Sequence, residues 1–307
     1  MQLQNHNKPL TKVGFANVKW MVEQAFLRVY GTDKHVCPTT GDFSNRSNRL
    51  CHTIIWGFML ICIIGCSDDR DEKITYLCEA NSSIKINSEY SLLNEVYHGE
   101  RLNNGKQCIW ETEHLKDFGW NWQLNSEIEG INSFPKVSYG WNSLEKNIQS
   151  LQLPLQIHSM LQGDVFYEIT STTTGISTLS LNLWIANILT SEELKITHRI
   201  RIWLNGQNIP TELGIFVEND MITGGKDYSI YRSNVPAEWS DIILIPSTPF
   251  LKKDWVFIGE ILKFLVYQQY LNDNEYLVGI DFGNEIQFGI GETKIINFLV
   301  EIQPYYH

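Results

Sequence analysis

The stretch HRIRIWLNG, residues 198–206, alternates aliphatic side chains with arginines and a tryptophan. Such alternation is typical of a β-strand with one buried face, because successive side chains of a strand point to opposite faces. The two isoleucines and the leucine then share one face, whereas Arg199, Arg201 and Trp203 share the other. This second face is either solvated, a binding surface or part of an active site.

Short runs of the same kind follow one another from residue 75 onward, separated by clusters of Asn, Gly and Ser. Examples are STLSLNLWIAN (177–187), DIILIPS (241–247) and TKIINFLVEIQ (293–303). One segment differs, since the apolar residues of VFIGEILKFLVYQQY (256–270) fall at helical spacing. The pattern predicts an all-β sandwich with one helix and no domain boundary after residue 75.

The chain of 307 residues is long enough to bury a sizeable core, and 43% of its residues are hydrophobic. Its formal net charge of −11 argues against a nucleic-acid partner, which needs a basic surface. The sequence also contains ten tryptophans. Indole rings stack on the apolar faces of sugars, so an acidic, tryptophan-rich sandwich suggests a carbohydrate ligand. Any single tryptophan is still more often a core residue than a ligand contact.

The first 66 residues differ from the rest in charge. They hold seven basic and three acidic residues, against 17 basic and 32 acidic residues in 67–307. Two arginines precede the apolar run IIWGFMLICIIG (54–65), and Cys66 and an acidic stretch follow it. This order is typical of an export signal. The tetrapeptide IIGC (63–66) resembles a bacterial lipobox, in which the cysteine is acylated, and an uncleaved anchor or a buried helix is the alternative.

These features predict three regions: an uncertain N-terminal extension over residues 1–45, a signal and lipobox segment over 46–66, and a folded domain over 67–307. The mature protein would be exported. A lipid on Cys66 would anchor it in a membrane, on the periplasmic or cell-surface side.

Loss of the signal and lipidation of Cys66 would leave two further cysteines, Cys78 and Cys108. Two cysteines in an exported domain favour a disulfide, because export leads to an oxidising environment. The disulfide would stabilise the domain by roughly 3–4 kcal/mol in the chain-entropy model. Two buried free thiols are the alternative.

Five stretches of the predicted domain carry a further signal. They are LLNEVYHG (92–99), GKQCIW (105–110), WNWQLNSEIEGINSFPKV (120–137), ITGGKDYSIY (222–231) and YLVGIDFGNEIQFGIGE (276–292). In order and spacing they resemble N-N-x-W-G, S-G-x-Q-C, W-x-W-S-G-G, G-G-x-x-W-x-L-Y and V-Q-x-G-T-E-P-F-T-G, the motifs of glycoside hydrolase family 12. This family comprises exported endo-β-1,4-glucanases and xyloglucanases. The resemblance implies a β-jelly-roll sandwich (concanavalin-like) with one helix packed on it.

The resemblance also implies a cleft that binds a β-glucan polysaccharide or oligosaccharide. The residues that it assigns to substrate binding are Asn94, Tyr97, Trp122, Arg201, Trp203 and Tyr228. Tyr97 and Tyr228 replace family tryptophans and keep an aromatic ring at each position. The family pairs the cysteine of its S-G-x-Q-C motif with an earlier one, which implies a Cys78–Cys108 disulfide. The sequence has no spacing of metal ligands and no nucleotide-binding loop, so neither a metal nor a cofactor is expected.

A retaining glycosidase needs two carboxyl groups about 5–5.5 Å apart, one as nucleophile and one as acid/base. The resemblance gives the acid/base position to Glu285, in GNEIQF. The family nucleophile lies in the string E-I-M-I-W-L, and alignment on Trp203 puts Arg199 at its position. A cleft aspartate of the family falls at Asn182. Arginine stays protonated and has no lone pair to offer, so it cannot form a glycosyl-enzyme intermediate.

A cation beside Glu285 would favour the ionised carboxylate, opposite to what a general acid needs. A salt bridge between Arg199 and Glu285 across the cleft is therefore a hypothesis.

Three functions stay open. The favoured one is a β-glucan-binding protein that has lost retaining hydrolysis. The others are an active endo-β-1,4-glucanase or xyloglucanase with an atypical nucleophile, and a surface lipoprotein that binds another protein. Glu192–Glu193 could act as nucleophile only in another register, and Asp281 or Glu218 could act as the base of an inverting enzyme.

Overall fold

The structure is a computed structural model, and it describes residues 73–97, 105–113, 117–125, 130–188, 193–205, 214–233 and 238–305. Of residues 219–222 it describes the backbone only. The predicted signal segment and Cys66 lie outside these ranges. Within them, no helix is long and apolar enough to cross a membrane.

Sixteen strands and one α-helix form the described part of the chain. The strands are β1 (Ile74–Leu77), β2 (Ser83–Lys85), β3 (Tyr90–Val96), β4 (Lys106–Thr112), β5 (Phe118–Leu124), β6 (Ser133–Asn142), β7 (Asn147–Ile148), β8 (Leu155–Gln156), β9 (Met160–Thr173), β10 (Ile176–Ile188), β11 (Leu194–Trp203), β12 (Ile215–Thr223), β13 (Lys226–Arg232), β14 (Ser240–Pro246), β15 (Lys253–Val256) and β16 (Tyr276–Pro304). The helix, α1 (Ile258–Tyr267), lies between β15 and β16. The predicted all-β class and the helix within 256–270 are confirmed.

One continuous sheet folds over so that its two layers face each other across the main core. The long strand β16 belongs to both layers. Up to Phe288 it pairs with β10 and β6, and from Gly289 it pairs with β5 and β9. The first layer has the order β1-β4-β5-β16-β9-β15. The second layer has the order β2-β3-β6-β16-β10-β11-β14-β13-β12.

The opening stretch forms most of β11 and divides its side chains as the alternation predicts. Ile200, Ile202 and Leu204 are fully buried in the main core between the layers. Burial of each of these side chains stabilises the fold by about 1.5–3 kcal/mol. Arg199 and Arg201 therefore lie on the opposite face of the second layer, where the candidate site is found.

Helix α1 packs on β9 through a close backbone approach. A Cβ atom at Gly259 of α1 would lie 2.8 Å from the backbone nitrogen of Gly163 in β9, so only glycine fits at this contact. The apolar side of the helix is buried in the main core and consists of Ile258, Ile261, Leu262 and Leu265. These are the residues whose helical spacing predicts the helix.

Cys78 and Cys108 form a disulfide, which confirms the pairing implied by the resemblance. Cys78 directly follows β1, and Cys108 lies in β4, the strand that β1 pairs with. The disulfide thus fixes the edge strand of the first layer to its neighbour.

Candidate functional site

The second layer gathers polar side chains on the face turned away from the main core, here called the cleft face. On this face Arg201 of β11 lies opposite Asn182 of β10, and Asn182 lies opposite Asp281 of β16. All three residues are buried. Because burial removes polar groups from water, they need hydrogen-bond or charge partners within the protein.

Glu285 of β16 is the centre of the hydrogen-bond network on the cleft face. Arg201 donates two hydrogen bonds to its carboxylate, from Nε to Oε1 at 3.1 Å and from Nη2 to Oε2. Trp203 Nε1 donates to Oε2 at 3.0 Å, and Asn182 Nδ2 donates to Oε1 at 3.2 Å. Only 2% of Glu285 is exposed. Both carboxylate oxygens are therefore enclosed by donors from the protein.

The surroundings of Glu285 favour its ionised form. Burial alone would raise the pKa of this carboxyl, because it takes the charged form out of water. The charge and hydrogen bonds of Arg201, the charge of Arg199 and the hydrogen bond from Asn182 all lower the pKa, and together they outweigh burial. The pKa of Glu285 is thus held below its ordinary value. A carboxyl that binds its proton weakly is a poor general acid at neutral pH.

The lowered pKa of Glu285 makes part of the folding stability depend on pH. The stabilisation by the Glu285 carboxylate is fully present at pH values above the pKa of this carboxyl in the unfolded chain. It is lost as the pH falls through the lower pKa of the same carboxyl in the folded chain. Glu285→Gln removes this titration, whereas the other carboxylates titrate in both proteins. We expect the difference in free energy of unfolding between the wild type and Glu285→Gln to shrink as the pH falls from about 6 to about 3. Urea unfolding measures it, and a constant difference over this range would contradict the assignment.

Arg199 has a different partner from the hypothesised one. Its Nε and Nη2 donate to the Asp241 carboxylate at 2.8 and 2.6 Å. The two residues lie directly opposite each other, because β11 and β14 run parallel in this register. Burial alone would lower the pKa of Arg199, but the hydrogen bond and charge of Asp241 raise it above its ordinary value. The hypothesis of an Arg199–Glu285 salt bridge is wrong, since Arg201 makes the ion pair with Glu285.

A second buried ion network lies beside the first. Lys136 of β6 is 0% exposed, and its Nζ lies 2.7 Å from Asp281 Oδ2 and 2.5 Å from Glu95 Oε2. Lys136 also donates to Ser143 Oγ at 3.2 Å, and Trp184 Nε1 donates to Asp281 Oδ2 at 2.7 Å. Burial alone would lower the pKa of Lys136, but Asp281 and Glu95 outweigh it and hold this pKa above its ordinary value. Lys136 therefore stays charged.

A cavity of about 750 Å³ lies on the cleft face. Tyr97, Trp141, Trp184 and Trp239 supply its aromatic lining. The three tryptophan rings form a row, here called the aromatic shelf, in which Trp184 lies 4.8 Å from Trp141 and 5.3 Å from Trp239. The Arg199 guanidinium lies 5.5 Å from the Trp184 ring centroid and 5.7 Å from that of Trp239. The charged residues of the lining are Glu95, Lys146, Glu193, Lys195, Arg199 and Glu238.

Three of the residues predicted to bind substrate do not lie on the cleft face. Tyr228 of β13 and Trp122 of β5 are buried in the main core, because their places in the strand alternation point inward. Asn94 is fully buried, and its Nδ2 donates to the carbonyl oxygen of Glu79 at 2.8 Å. The expectation that these three residues line the cleft is therefore corrected.

The other predicted residues do lie on the cleft face: Tyr97 and Arg199 line the cavity, and Asn182, Arg201, Trp203 and Glu285 form the buried network. Of the alternative acids, Asp281 is held by Lys136, as described above. Glu218 accepts a hydrogen bond from the Tyr270 hydroxyl at 3.0 Å, near helix α1 rather than at Glu285. Glu193 lines the cavity, and Glu192 lies outside the described residues.

Sequence reasoning missed Lys136, Asp241 and Trp239. Asp241 begins the otherwise apolar run DIILIP, and Lys136 stands in the middle of the buried strand β6. A charged residue in a mostly apolar strand indicates a buried charge that needs a partner of opposite charge. This pattern could have identified both Lys136 and Asp241. Trp239 precedes β14 and carries no pattern of its own, so the sequence offered no signal for it.

No family model matches this chain. Among curated proteins, endoglucanase S of Pectobacterium parmentieri is 23% identical over 225 residues, which cover 71% of this chain and 83% of that protein. Among solved structures, a family 12 xyloglucanase from Bacillus licheniformis has a TM-score of 0.67 at 21% identity, covering 75% of this chain and 100% of its own. The fold is that of family 12 glycoside hydrolases. The xyloglucanase domain of NopAA, a type three effector from Sinorhizobium fredii solved with cellobiose, has a TM-score of 0.58 at 17% identity, with 75% and 99% coverage.

The family 12 likeness confirms the resemblance found in the sequence motifs and the expected jelly-roll architecture. The assignment of Arg199 to the nucleophile position stays a prediction from the motif alignment. Within the described ranges, no group of three or more His, Cys, Asp or Glu residues is arranged to hold a metal ion.

Proposed function

We propose that this protein binds β-glucan chains on its cleft face and does not carry out retaining hydrolysis. The observation that carries the proposal is the pairing of Glu285 with Arg201, which fills both oxygens of the expected acid/base residue. Arg199, at the expected nucleophile position, is paired with Asp241 and stays protonated.

The chemistry of retention explains why this arrangement opposes catalysis. The general acid must hold a proton for the leaving oxygen and release it in the transition state. Glu285 has a lowered pKa and accepts four hydrogen bonds, so its carboxylate is stabilised before any substrate binds. The nucleophile must supply a lone pair to the anomeric carbon, which the guanidinium of Arg199 does not have.

The aromatic shelf supports sugar binding. Trp141 and Trp184 belong to a small apolar cluster on the cleft face that is separate from the main core, and Trp239 packs against it. Such a row of indole rings beside polar side chains matches the faces and hydroxyl groups of a sugar chain. Trp239 Nε1 is buried without a hydrogen-bond partner in the described part of the chain, so it can donate to a ligand. The solved relative with cellobiose makes β-glucans the first ligands to test.

The alternative of an active endoglucanase or xyloglucanase rests on the carboxylates of the cavity. Glu95, Glu193 and Glu238 all line it. An inverting enzyme would need one of them as the base, with its carboxyl about 6.5–9.5 Å from that of the acid. Glu95 is paired with Lys136, which lowers its availability for this role.

Trp239→Ala tests the proposed sugar contact. We expect it to weaken binding of xyloglucan or mixed-linkage β-glucan by the full-length chain about tenfold, because it removes one stacking ring and one donor. Isothermal titration calorimetry measures the dissociation constant. Trp255→Ala is the matched control, since Trp255 is a partly exposed tryptophan of the first layer. Equal affinities of the two variants for every glucan would contradict the proposed site.

Export and a lipid anchor on Cys66 stay proposals from the sequence, because Cys66 lies outside the described residues. Mass spectrometry of the N-terminal peptide of the membrane-extracted protein would test them. An acylated Cys66 at the new N-terminus is the expected result.

A further inference from the structure

A second groove, of about 710 Å³, lies on the first layer. It is formed on the strands β4, β5, β16 and β9, together with Tyr76 of the edge strand β1, and it shares no lining residue with the cavity of the cleft face. We call it the outer groove. Its lining includes Tyr76, Asn121, Gln123, Thr172, Thr174 and Ile290.

The side chains of the outer groove form two rows across the four strands. In the first row, Asn121 lies opposite Glu292, and Glu292 lies opposite Thr172. In the second row, Gln123 lies opposite Ile290, whose backbone is hydrogen-bonded to Thr174. In β4, Cys108 lies opposite Asn121 and Lys106 lies opposite Gln123, so each row crosses four strands. Because neighbouring strands lie about 4.8 Å apart, each row spans about 14 Å, a length suited to an extended chain molecule.

The chemistry of these rows fits a polyhydroxylated ligand. Tyr76 and Ile290 are 50% and 54% exposed and offer apolar surface to the face of a sugar ring. The amides of Asn121 and Gln123 and the hydroxyl of Thr172 can donate to and accept from hydroxyl groups. The groove therefore combines apolar surface with amides and hydroxyls.

The charge of the outer groove selects among such ligands. Its charged lining residues are Lys106 and Glu292, which carry opposite charges. A phosphate-rich or acidic ligand needs a positive surface, and this groove has no net charge to offer it. A neutral glycan is the ligand class that matches.

The disulfide holds one wall of the groove in place. Tyr76 lies two residues before Cys78, and Cys108 lies opposite Asn121 in the neighbouring strand. The covalent bond thus fixes the strand that carries Tyr76 relative to the strands that carry the amides. A rigid wall reduces the entropy lost on binding.

We propose that the outer groove is a second glycan-binding site, which takes a neutral glucan chain independently of the cleft face. The proposal goes beyond binding on the cleft face, because either site can exist without the other. It also assigns a binding function to the polar side chains of the outer groove, which lie apart from the cleft face.

The test compares variants of the full-length chain in affinity electrophoresis with neutral mixed-linkage β-glucan. In the Trp239→Ala background, which weakens the proposed cleft site, we expect Tyr76→Ala to weaken binding about tenfold, and Tyr76→Phe to leave binding unchanged because it keeps the ring. Tyr267→Ala is the matched control, since Tyr267 is an exposed tyrosine on helix α1. Circular dichroism checks that each variant is folded, and Gln123→Ala provides a second variant should Tyr76→Ala fail to fold.

The outcomes separate the two sites. Weakened binding by Tyr76→Ala, together with unchanged binding by Trp239→Ala, would support the outer groove and contradict the proposed cleft site. If Tyr76→Ala and Gln123→Ala both bind with the affinity of Tyr267→Ala, the proposed site in the outer groove is wrong. This holds whether or not the cleft face binds glucan. Absence of binding by the wild type would overturn both sites.

Discussion

Arg201→Met is expected to lower the free energy of unfolding by about 3–5 kcal/mol at neutral pH. The substitution leaves Glu285 buried with hydrogen bonds from Trp203 and Asn182 but without its ion pair. An uncompensated buried charge is costly, so the carboxyl is expected to bind a proton and its pKa to rise. Urea unfolding gives the free energy, and the loss should be smaller at acid pH, where Glu285 is protonated.

Two further variants control this experiment. Arg201→Met combined with Glu285→Gln removes both charges and should recover part of the lost stability, which a double-mutant cycle reports as coupling. Arg232→Met removes an arginine that is exposed and lies over the Tyr270 ring, and its effect should be below about 1 kcal/mol. Equal effects of Arg201→Met and Arg232→Met would contradict the buried pair.

Lys136→Met is expected to have an effect of the same size, about 3–5 kcal/mol. It leaves the buried carboxylate of Asp281 and the half-buried carboxylate of Glu95 without the cation that both contact. Their mutual repulsion adds to the cost of burial, because like charges in a low-dielectric interior are poorly screened. Thermal and urea unfolding of the purified chain measure the change.

Lys253→Met is the matched control for Lys136→Met. Lys253 also contacts a carboxylate, that of Glu168 at 2.9 Å, but its side chain is 63% exposed. An exposed pair contributes about 0–1 kcal/mol, so this variant should be nearly as stable as the wild type. A Lys136→Met protein as stable as Lys253→Met would show that the carboxylates near Lys136 are hydrated.

The parts of the fold that follow from local pattern could be predicted from sequence. The alternation in 198–206 gives the two faces of β11, and the helical spacing in 256–270 gives α1. The motif resemblance gives the jelly-roll fold and the disulfide. The first two features depend on residues that are close in sequence. The fold and the disulfide follow from short motifs that are recognisable although the overall sequence identity to family 12 proteins is low.

The pairing of the buried charges could not be predicted in this way. Whether Arg199 or Arg201 meets Glu285 depends on the register of β10 and β16 and on Asp241, which β14 brings opposite Arg199 by a parallel pairing. Partners of this kind come from distant parts of the chain. A shift of two residues would exchange Arg199 and Arg201, because residues two apart share one face of a strand. Tyr228 and Trp122 were misassigned for a related reason, since a matching motif gives a position but not the face that it occupies.

Release of reducing ends tests the central claim most directly. The full-length chain would be incubated with xyloglucan, mixed-linkage β-glucan and carboxymethylcellulose, with Glu285→Gln as control, and binding to the same glucans would be measured in parallel. The account predicts binding without release above that of the control. Release by the wild type that Glu285→Gln abolishes would contradict it, because Glu285 would then act as an acid with a second carboxylate of the cleft.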